Sequence, residues 1–352
     1  MRDKILYIGK ETINPQGGAD QVNLRNLQLL KDIFGDGVTI LEPTGDGLMK
    51  KIFLGSSRQN IEAIRKELST GKYGYVFISQ SLFGGMARVV KKEFPIVKVI
   101  TFFHNIEVQY AQSYYNTKGI KALPFLLLVK YWEKVCVDNT DFFITLNSRD
   151  SILLNKVYGK LSSLELPTSF ADKFNEEYRL RSKGNKSEQI DYLFVGLAFF
   201  ANVQGVQWFI DNVMPKVSGH LWIIGKGMNA VAYKNISDRI HVLGFVDDLS
   251  SFYYRARCVV SPIFTGGGMK TKTAEALMYG KCIVGTKEAF EGYEKCGTMY
   301  ECDTADDFIT LLNNLPADVN PYSESSRQLF LSKYSFEVQK NRFNDWLNSV
   351  IC

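Results

Sequence analysis

Long apolar runs are missing from this sequence. No stretch of its 352 residues approaches the about 18–20 consecutive apolar residues that a membrane-crossing helix requires. A signal-peptide pattern is also missing. Met1-Arg2-Asp3-Lys4-Ile5-Leu6 runs directly into a strand pattern, so export by the general route is not expected. Cysteine is sparse, with six residues at 136, 258, 282, 296, 302 and 352, and none forms a Cys-x-x-Cys pair. That spacing argues against a metal knuckle or a disulfide framework and favours reduced core thiols, with Cys258 and Cys282 inside apolar strands. Short-period repeats and low-complexity tracts are absent too.

What is present suits a globular protein of about two domains. Hydrophobic residues make up 45% and charged residues 22%. The net charge of +5 is unevenly spread: residues 1–167 hold 22 Lys/Arg against 16 Asp/Glu, and the remainder 20 against 21. A basic first half suits an anionic partner, such as a membrane surface or a phosphate-bearing acceptor. It equally suits an ordinary solvated face. No nucleic-acid partner is expected.

Apolar runs alternate between strand and helix periods. Strands are expected at 4–9, 38–41, 75–79, 97–103, 142–146 and 164–166, with helices at 17–34, about 57–70, 82–93, 119–137 and 148–158. A polar stretch, Ser182–Ser187, reads as a solvated connection. The pattern then restarts, with strands at 190–196, 221–225, 240–243, 258–262, 282–285 and 298–301, and a last helix at 335–350. Such alternation predicts parallel sheets covered by helices, and the restart predicts two α/β lobes of one class. The expected division is a first domain at 1–167, a linker region at 168–189, a second domain at 190–332, and a C-terminal helix at 333–352 that crosses back to the first domain.

The chemistry concentrates in Val259-Val260-Ser261-Pro262-Ile263-Phe264-Thr265-Gly266-Gly267-Gly268-Met269-Lys270-Thr271-Lys272-Thr273-Ala274-Glu275. A strand ends at proline, three glycines follow, and a helix begins. Glycine lets backbone N–H groups approach an anion without a Cβ in the way, and a helix N-terminus adds free N–H groups and the positive end of its dipole. Lys270 and Lys272 add charge near the first turn. Glu275, pointed aside, can accept hydrogen bonds from a ribose diol. The site reads as one for a nucleoside diphosphate; the alternative is a glycine turn before an ordinary amphipathic helix. It is not a Walker loop, because no Gly-Lys-Ser/Thr follows the glycines. No Asp-x-Asp motif occurs, so no metal site is expected. Glu301-Cys302-Asp303 comes nearest and reads as a strand end beside a helix N-cap.

The stretch resembles the donor-binding segment of family 4 retaining glycosyltransferases, the glycosyl transferases group 1 of the GT-B fold. Their Gly-x-Gly-x-Lys-x-Lys-x-x-Glu-Ala signature and following Gly-x-x-x-Val fall on Gly266, Gly268, Lys270, Lys272, Glu275, Ala276, Gly280 and Val284. Phe194-Val195-Gly196 with Asn202, Gly205 and Trp208-Phe209 resembles the first strand and helix of the donor lobe. Gly225-x-Gly227, Gly244-Phe245-Val246-Asp247-Asp248-Leu249 and Glu291-Gly292 resemble its later loops. Gly17-Gly18-Ala19 and His104-Asn105-x-Glu107 resemble the interlobe loops of the first lobe. The likeness spans most of residues 1–310. It implies two Rossmann-like lobes facing across a cleft.

The same resemblance implies a donor site of Gly17, Gly18, Gly196, Gly225, Gly244, Phe245, Gly266, Gly267, Gly268, Met269, Lys270, Lys272 and Glu275. His104 would meet the donor sugar, with Lys272 and Glu107 as further catalytic candidates. The implied substrates are a nucleoside diphosphate sugar, with no other cofactor, and a glycan or lipid-linked acceptor in polysaccharide or cell-surface glycan synthesis. The implied location is the cytoplasm or the inner face of the membrane. Two departures stand out: Gly267 occupies the place of the first of two glutamates that many members carry, and Asn202 lies where a lysine is usual.

Other readings stay open. His104 ends a buried strand, where ligands of open α/β sheets gather, and could instead be a loop histidine bonded to backbone. Glu107 could instead cap the next helix, and Gly17-Gly18 could be a tight turn. His220 and His241 border strands and read as structural. Gly225-Lys226-Gly227-Met228-Asn229-Ala230 matches a dinucleotide fingerprint, which would make the chain an oxidoreductase. A nucleotide-sugar epimerase of the same fold would need paired acids, and a non-catalytic binding protein would need neither. The segment Lys118–Val137 mixes lysines with Leu126-Leu127-Leu128-Val129, as a membrane-surface helix does and as many packed helices do.

Overall fold

Apolar runs of four to six residues end at glycine, proline or polar residues, and between them the period shifts to that of a helix. The outcome, in a computed structural model that describes residues 4–13, 15, 17–44, 55–182, 190–315 and 322–351, is two separate units of parallel sheet and helix. One comprises Met1–Pro15, Ala19–Pro167 and Lys340–Cys352, the other Gln16–Gly18 and Thr168–Gln339.

The first unit holds strands β1 (Lys4–Ile8), β2 (Val38–Leu41), β3 (Tyr73–Ile78), β4 (Lys98–Phe103), β5 (Phe142–Thr145) and β6 (Leu164–Glu165) in the order β2-β1-β3-β4-β5-β6. All pairs are parallel. Helices α1 (Gly18–Phe34), α2 (Arg58–Leu68), α3 (Gly84–Glu93), α4 (Glu107–Lys118), α5 (Leu123–Asp138) and α6 (Ser148–Tyr158) lie between them. Leu6, Ile8, Val76, Ile78 and Val99 pack with Ile64 of α2 and Met86 and Val90 of α3 in one buried cluster. Where the sequence predicts a helix over 119–137, a 3₁₀ turn at Gly119–Ala122 leads into α5, and α4 before it lies outside the predicted helices. Gly119, at φ +65°, ends α4, and Pro124 stands in the first turn of α5, where its missing N–H costs nothing.

The second unit holds α7 (Glu176–Ser182), β7 (Ile190–Val195), α8 (Phe200–Asn212), β8 (Leu221–Ile224), β9 (Ile240–Leu243), α9 (Ser250–Arg255), β10 (Ala256–Ser261), α10 (Thr271–Met278), β11 (Cys282–Gly285), β12 (Met299–Glu301), α11 (Ala305–Asn314) and α12 (Glu324–Leu329). Its sheet runs β12-β11-β10-β7-β8-β9. Tyr192, Phe194, Val206, Phe209, Val260, Val284 and Phe308 share its core. Residues 168–182, read from the sequence as part of a linker, go with this unit: Phe174 and Tyr178 pack at a tilt against Tyr254 with ring centroids 5.9 and 5.0 Å apart. Of the polar stretch 182–187, only Ser182 falls within the described residues.

The last helix, α13 (Phe336–Ile351), starts in the second unit and from Lys340 onward is counted with the first. Phe343 and Leu347 are fully buried. Phe343 meets Phe77 edge-on at 6.5 Å, and Trp346 meets Phe142 at 5.7 Å. Cys136, Cys258, Cys282, Cys296 and Cys302 are free thiols, Cys258 and Cys282 standing opposite each other on β10 and β11. Cys352 lies outside the described residues.

Candidate functional site

The carboxyl ends of β7, β8, β9 and β10 converge on small residues. Gly196 N–H donates to the Ile224 carbonyl at 2.9 Å, and Gly225 N–H to the Gly244 carbonyl at 3.1 Å. Gly225 has φ +152°, and a Cβ there would stand 1.9 Å from the Gly196 carbonyl oxygen, so only glycine fits. The backbone therefore lies bare where ligands of open α/β sheets bind. Phe245, after Gly244, is 63% exposed. The dinucleotide pattern at Gly225–Ala230 leads only to a 3₁₀ turn, Met228–Ala230, not to the crossover helix such a site requires.

Beyond β10 the chain passes Pro262 and turns through Gly266 (φ +148°) and Gly268 (φ +61°), conformations that side chains resist. Residues 264–267 are exposed, whereas Gly268 and Met269 are buried. Helix α10 then starts without a side-chain cap, leaving its first N–H groups open to an anion. The turn is held from behind. Tyr293 Oη donates to the Lys270 carbonyl at 2.8 Å, Thr273 Oγ1 to the Ala289 carbonyl at 2.8 Å, and the Thr286 hydroxyl to the Ile263 carbonyl.

Lys272 points into the strand ends. Its side chain is buried, its Nζ donates to Asn202 Oδ1 at 2.6 Å and lies 4.2 Å from the Phe194 ring centroid. A Cβ on Gly196 would stand 3.0 Å from that same Nζ. Burial, with Lys270 adding to it, lowers its pKa to about 7, against a smaller opposing pull from Glu275. Asn202 thus holds the Lys272 ammonium at the end of the unit's first strand, a partnership that sequence spacing did not reveal. Lys270 behaves differently from the sequence expectation. Its charge is engaged locally, 2.6 Å from Glu288 and 2.9 Å from the Gly268 carbonyl. Glu275, half-buried, accepts from Tyr253 Oη at 3.2 Å.

Gly17 and Gly18 precede and open α1, and both are counted with the second unit. The remaining candidates belong to the first. His104 follows β4 and is buried, with Nε2 3.1 Å from Asn23 Oδ1. Burial lowers its pKa to about 4 despite a hydrogen bond to the Ser79 backbone, so the ring is neutral at physiological pH. Glu107 is the first residue of α4. Burial and the neighbouring Glu133 push its carboxyl up to about 7, in the range where a side chain can exchange protons.

Glu133 is a feature the sequence reading missed. It is fully buried on α5 and accepts from Glu107 N–H (2.8 Å), Val108 N–H (3.0 Å), Ser81 Oγ (2.8 Å) and Tyr158 Oη (2.7 Å). It therefore caps α4 from a distance and fixes the turn that carries Glu107. Its signal was the helical phase, since it shares a stripe with Leu126, Val129 and Cys136. His220 and His241 prove to be partners, with Nδ1 and Nε2 3.0 Å apart. The pairing follows from the parallel register of β8 and β9.

Residues 189–318 match the family model described as Glycosyl transferases group 1. No curated protein matches the chain by sequence. Among solved structures, sucrose-phosphate synthase from Thermosynechococcus elongatus has a TM-score of 0.76 at 14% identity, over 99% of both chains. Anabaena HepE in complex with UDP has 0.70 at 11% identity, over 98% of this chain and 100% of that one. The catalytic domain of starch synthase IV from Arabidopsis thaliana, bound to ADP and acarbose, has 0.64 at 11% identity, over 99% and 100%. The chain has the GT-B fold, and its residues 189–318 match the glycosyl transferases group 1 model.

Proposed function

We propose that this protein transfers a sugar from a nucleoside diphosphate sugar to a glycan or lipid-linked acceptor, with retention at the sugar carbon. The observation that carries the reading is the buried Lys272 ammonium beside the uncapped start of α10 and the Gly266–Gly268 turn. Sugar departure leaves charge on the diphosphate through an oxocarbenium-like state, and donors fixed in advance stabilise that charge best. The open N–H groups of α10 and Lys272 meet the diphosphate, and Glu275 accepts from the ribose. Lys270 shapes the turn rather than adding free charge, being paired with Glu288. The neutral His104 ring donates to or accepts from the transferred sugar, and Glu107 orients the acceptor hydroxyl. The nucleotides held by the structural neighbours, UDP and ADP, support a nucleoside diphosphate as the common part. We take the acceptor's proton to go to the leaving phosphate. Glu133 offers no second acid for an epimerase, because backbone and hydroxyl donors occupy its carboxylate.

The test is thermal stabilisation by UDP, GDP and ADP, followed by hydrolysis or transfer with the matching nucleotide sugars. Stabilisation by at least one nucleotide, lost in Lys272→Ala, is expected. No stabilisation by any of them, together with no turnover, overturns the reading.

A further inference from the structure

Tyr253 of α9 carries a hydroxyl where packing alone needs only a ring. The ring is fully buried and stacks on Tyr279, just past α10, with centroids 4.7 Å apart and planes 12° from parallel. Tyr279 is held in turn by Ser250, with 2.8 Å between the hydroxyl oxygens, and by the edge of Tyr254 at 5.2 Å. A buried hydroxyl is costly unless it is hydrogen-bonded. Among the described residues the partner of Tyr253 Oη is Glu275 Oε2, at 3.2 Å. Burial and the Glu275 charge hold the phenol's pKa well above its ordinary value, so it stays protonated and donates. Glu275 itself sits differently. Along α10 (Thr271–Met278) only Thr271 and Glu275 are not buried, and residues four apart share one side of a helix. A glutamate side chain at such a half-open place keeps its rotational freedom unless something holds the carboxylate.

We propose that Tyr253 is a positioning residue: it fixes the orientation of the Glu275 carboxylate and so sets the preference for ribose over deoxyribose in the bound nucleotide. The inference rests on the donor reading, in which Glu275 accepts from ribose hydroxyls. A carboxylate has about four acceptor positions, so one donor from the packed side leaves capacity for a ligand's diol. Held in one orientation, it accepts from both hydroxyls at once. Left free to turn, it loses part of that gain to the cost of ordering. The effect falls on the ribose and spares the diphosphate, which Lys272 and the open N–H groups of α10 meet.

The experiment is calorimetric titration of UDP, GDP and ADP, each against its 2′-deoxy form, into the unaltered chain and Tyr253→Phe. The unaltered chain should prefer the ribo form of the nucleotide it binds by roughly tenfold, the worth of a hydrogen bond to a charged group. Tyr253→Phe keeps the stacked ring and should lower that preference about fivefold, with affinity for the deoxy form changed by less than about twofold. In Glu275→Ala the preference is gone, and adding Tyr253→Phe changes nothing more. A preference that survives Tyr253→Phe, or an equal loss of affinity for both forms, overturns the inference and leaves the donor site standing. No binding of any of the three nucleotides removes the donor reading, and the inference with it. If Tyr253→Phe does not fold, 3-fluorotyrosine in place of Tyr253 gives the readout. Its fluorine resonance should move further with the ribo than with the deoxy nucleotide, and equal movement overturns the proposal.

Discussion

Lys272 is taken out of water by its own fold, and burial lowers its pKa to about 7 from the ordinary 10.5. A diphosphate bound beside it would raise that value again, so binding above pH 7 takes up a proton. Calorimetry in buffers of different ionisation enthalpy should therefore show proton uptake on binding at pH 8, with affinity falling as pH rises. Lys272→Ala should abolish the uptake and weaken binding roughly ten- to a hundredfold, the worth of one charged hydrogen bond. Glu107 gives a second residue-scale prediction. Its carboxyl is raised to about 7 by burial first and Glu133 second. If it acts ionised on the acceptor, turnover rises with pH through that value. In Glu133→Gln the midpoint should move to lower pH, because the like charge is removed while the burial stays. A midpoint that does not move separates Glu107 from the reaction.

At the scale of elements, the donor-side loops depend on glycines that no other residue can replace. Gly225→Ala would place a Cβ 1.9 Å from the Gly196 carbonyl at a φ of +152°. It should cost about 3 kcal/mol, seen as a lowered unfolding midpoint. Gly297→Ala, with nothing within 4 Å of the added carbon, should stay within about 0.5 kcal/mol. The strands were legible because each is a short apolar run closed by a breaker; Cys282–Gly285 and Val38–Leu41 fall where periodicity puts them. Helix α4 was less so. Its sequence, EVQYAQSYYNTK, has little apolar phase, and its start is secured by the carboxylate of Glu133, far along the chain. Capping from a distance leaves no trace in local spacing. The same holds for Lys272 and Asn202, which are joined across seventy residues by the parallel order of β7 and β10.

For the whole molecule, buried ionisable groups predict how stability follows pH. Lys272 and Lys281 both have folded pKa values lowered to about 7 by burial. Above pH 7 the unfolded chain binds more protons, so stability rises with pH from about 7 towards 9. Between about 4.5 and 7 the groups of the first unit oppose one another. His104, lowered to about 4, adds stability as pH rises through 4 to 6.5. Glu107, raised to about 7, removes stability between 4.5 and 7. Urea unfolding across this range should show a shallow trend below pH 7 and a clear rise above it. Lys281→Met, which removes a buried ammonium held only by the Tyr254 and Ala256 carbonyls among its described partners, should flatten that rise.

Helix α13 carries a different kind of consequence, one that concerns the order of synthesis. Phe343 and Leu347 complete the interior of the unit whose strands leave the ribosome first. Domains generally fold as units, the N-terminal one earlier, yet here the earlier-made sheet must wait, with Phe77 and Phe142 uncovered, until Phe343 and Trp346 have been translated, after the second unit. A chain ending after Gln339 and released from the ribosome should therefore hold a protease-resistant second unit beside a first unit that is still readily cleaved.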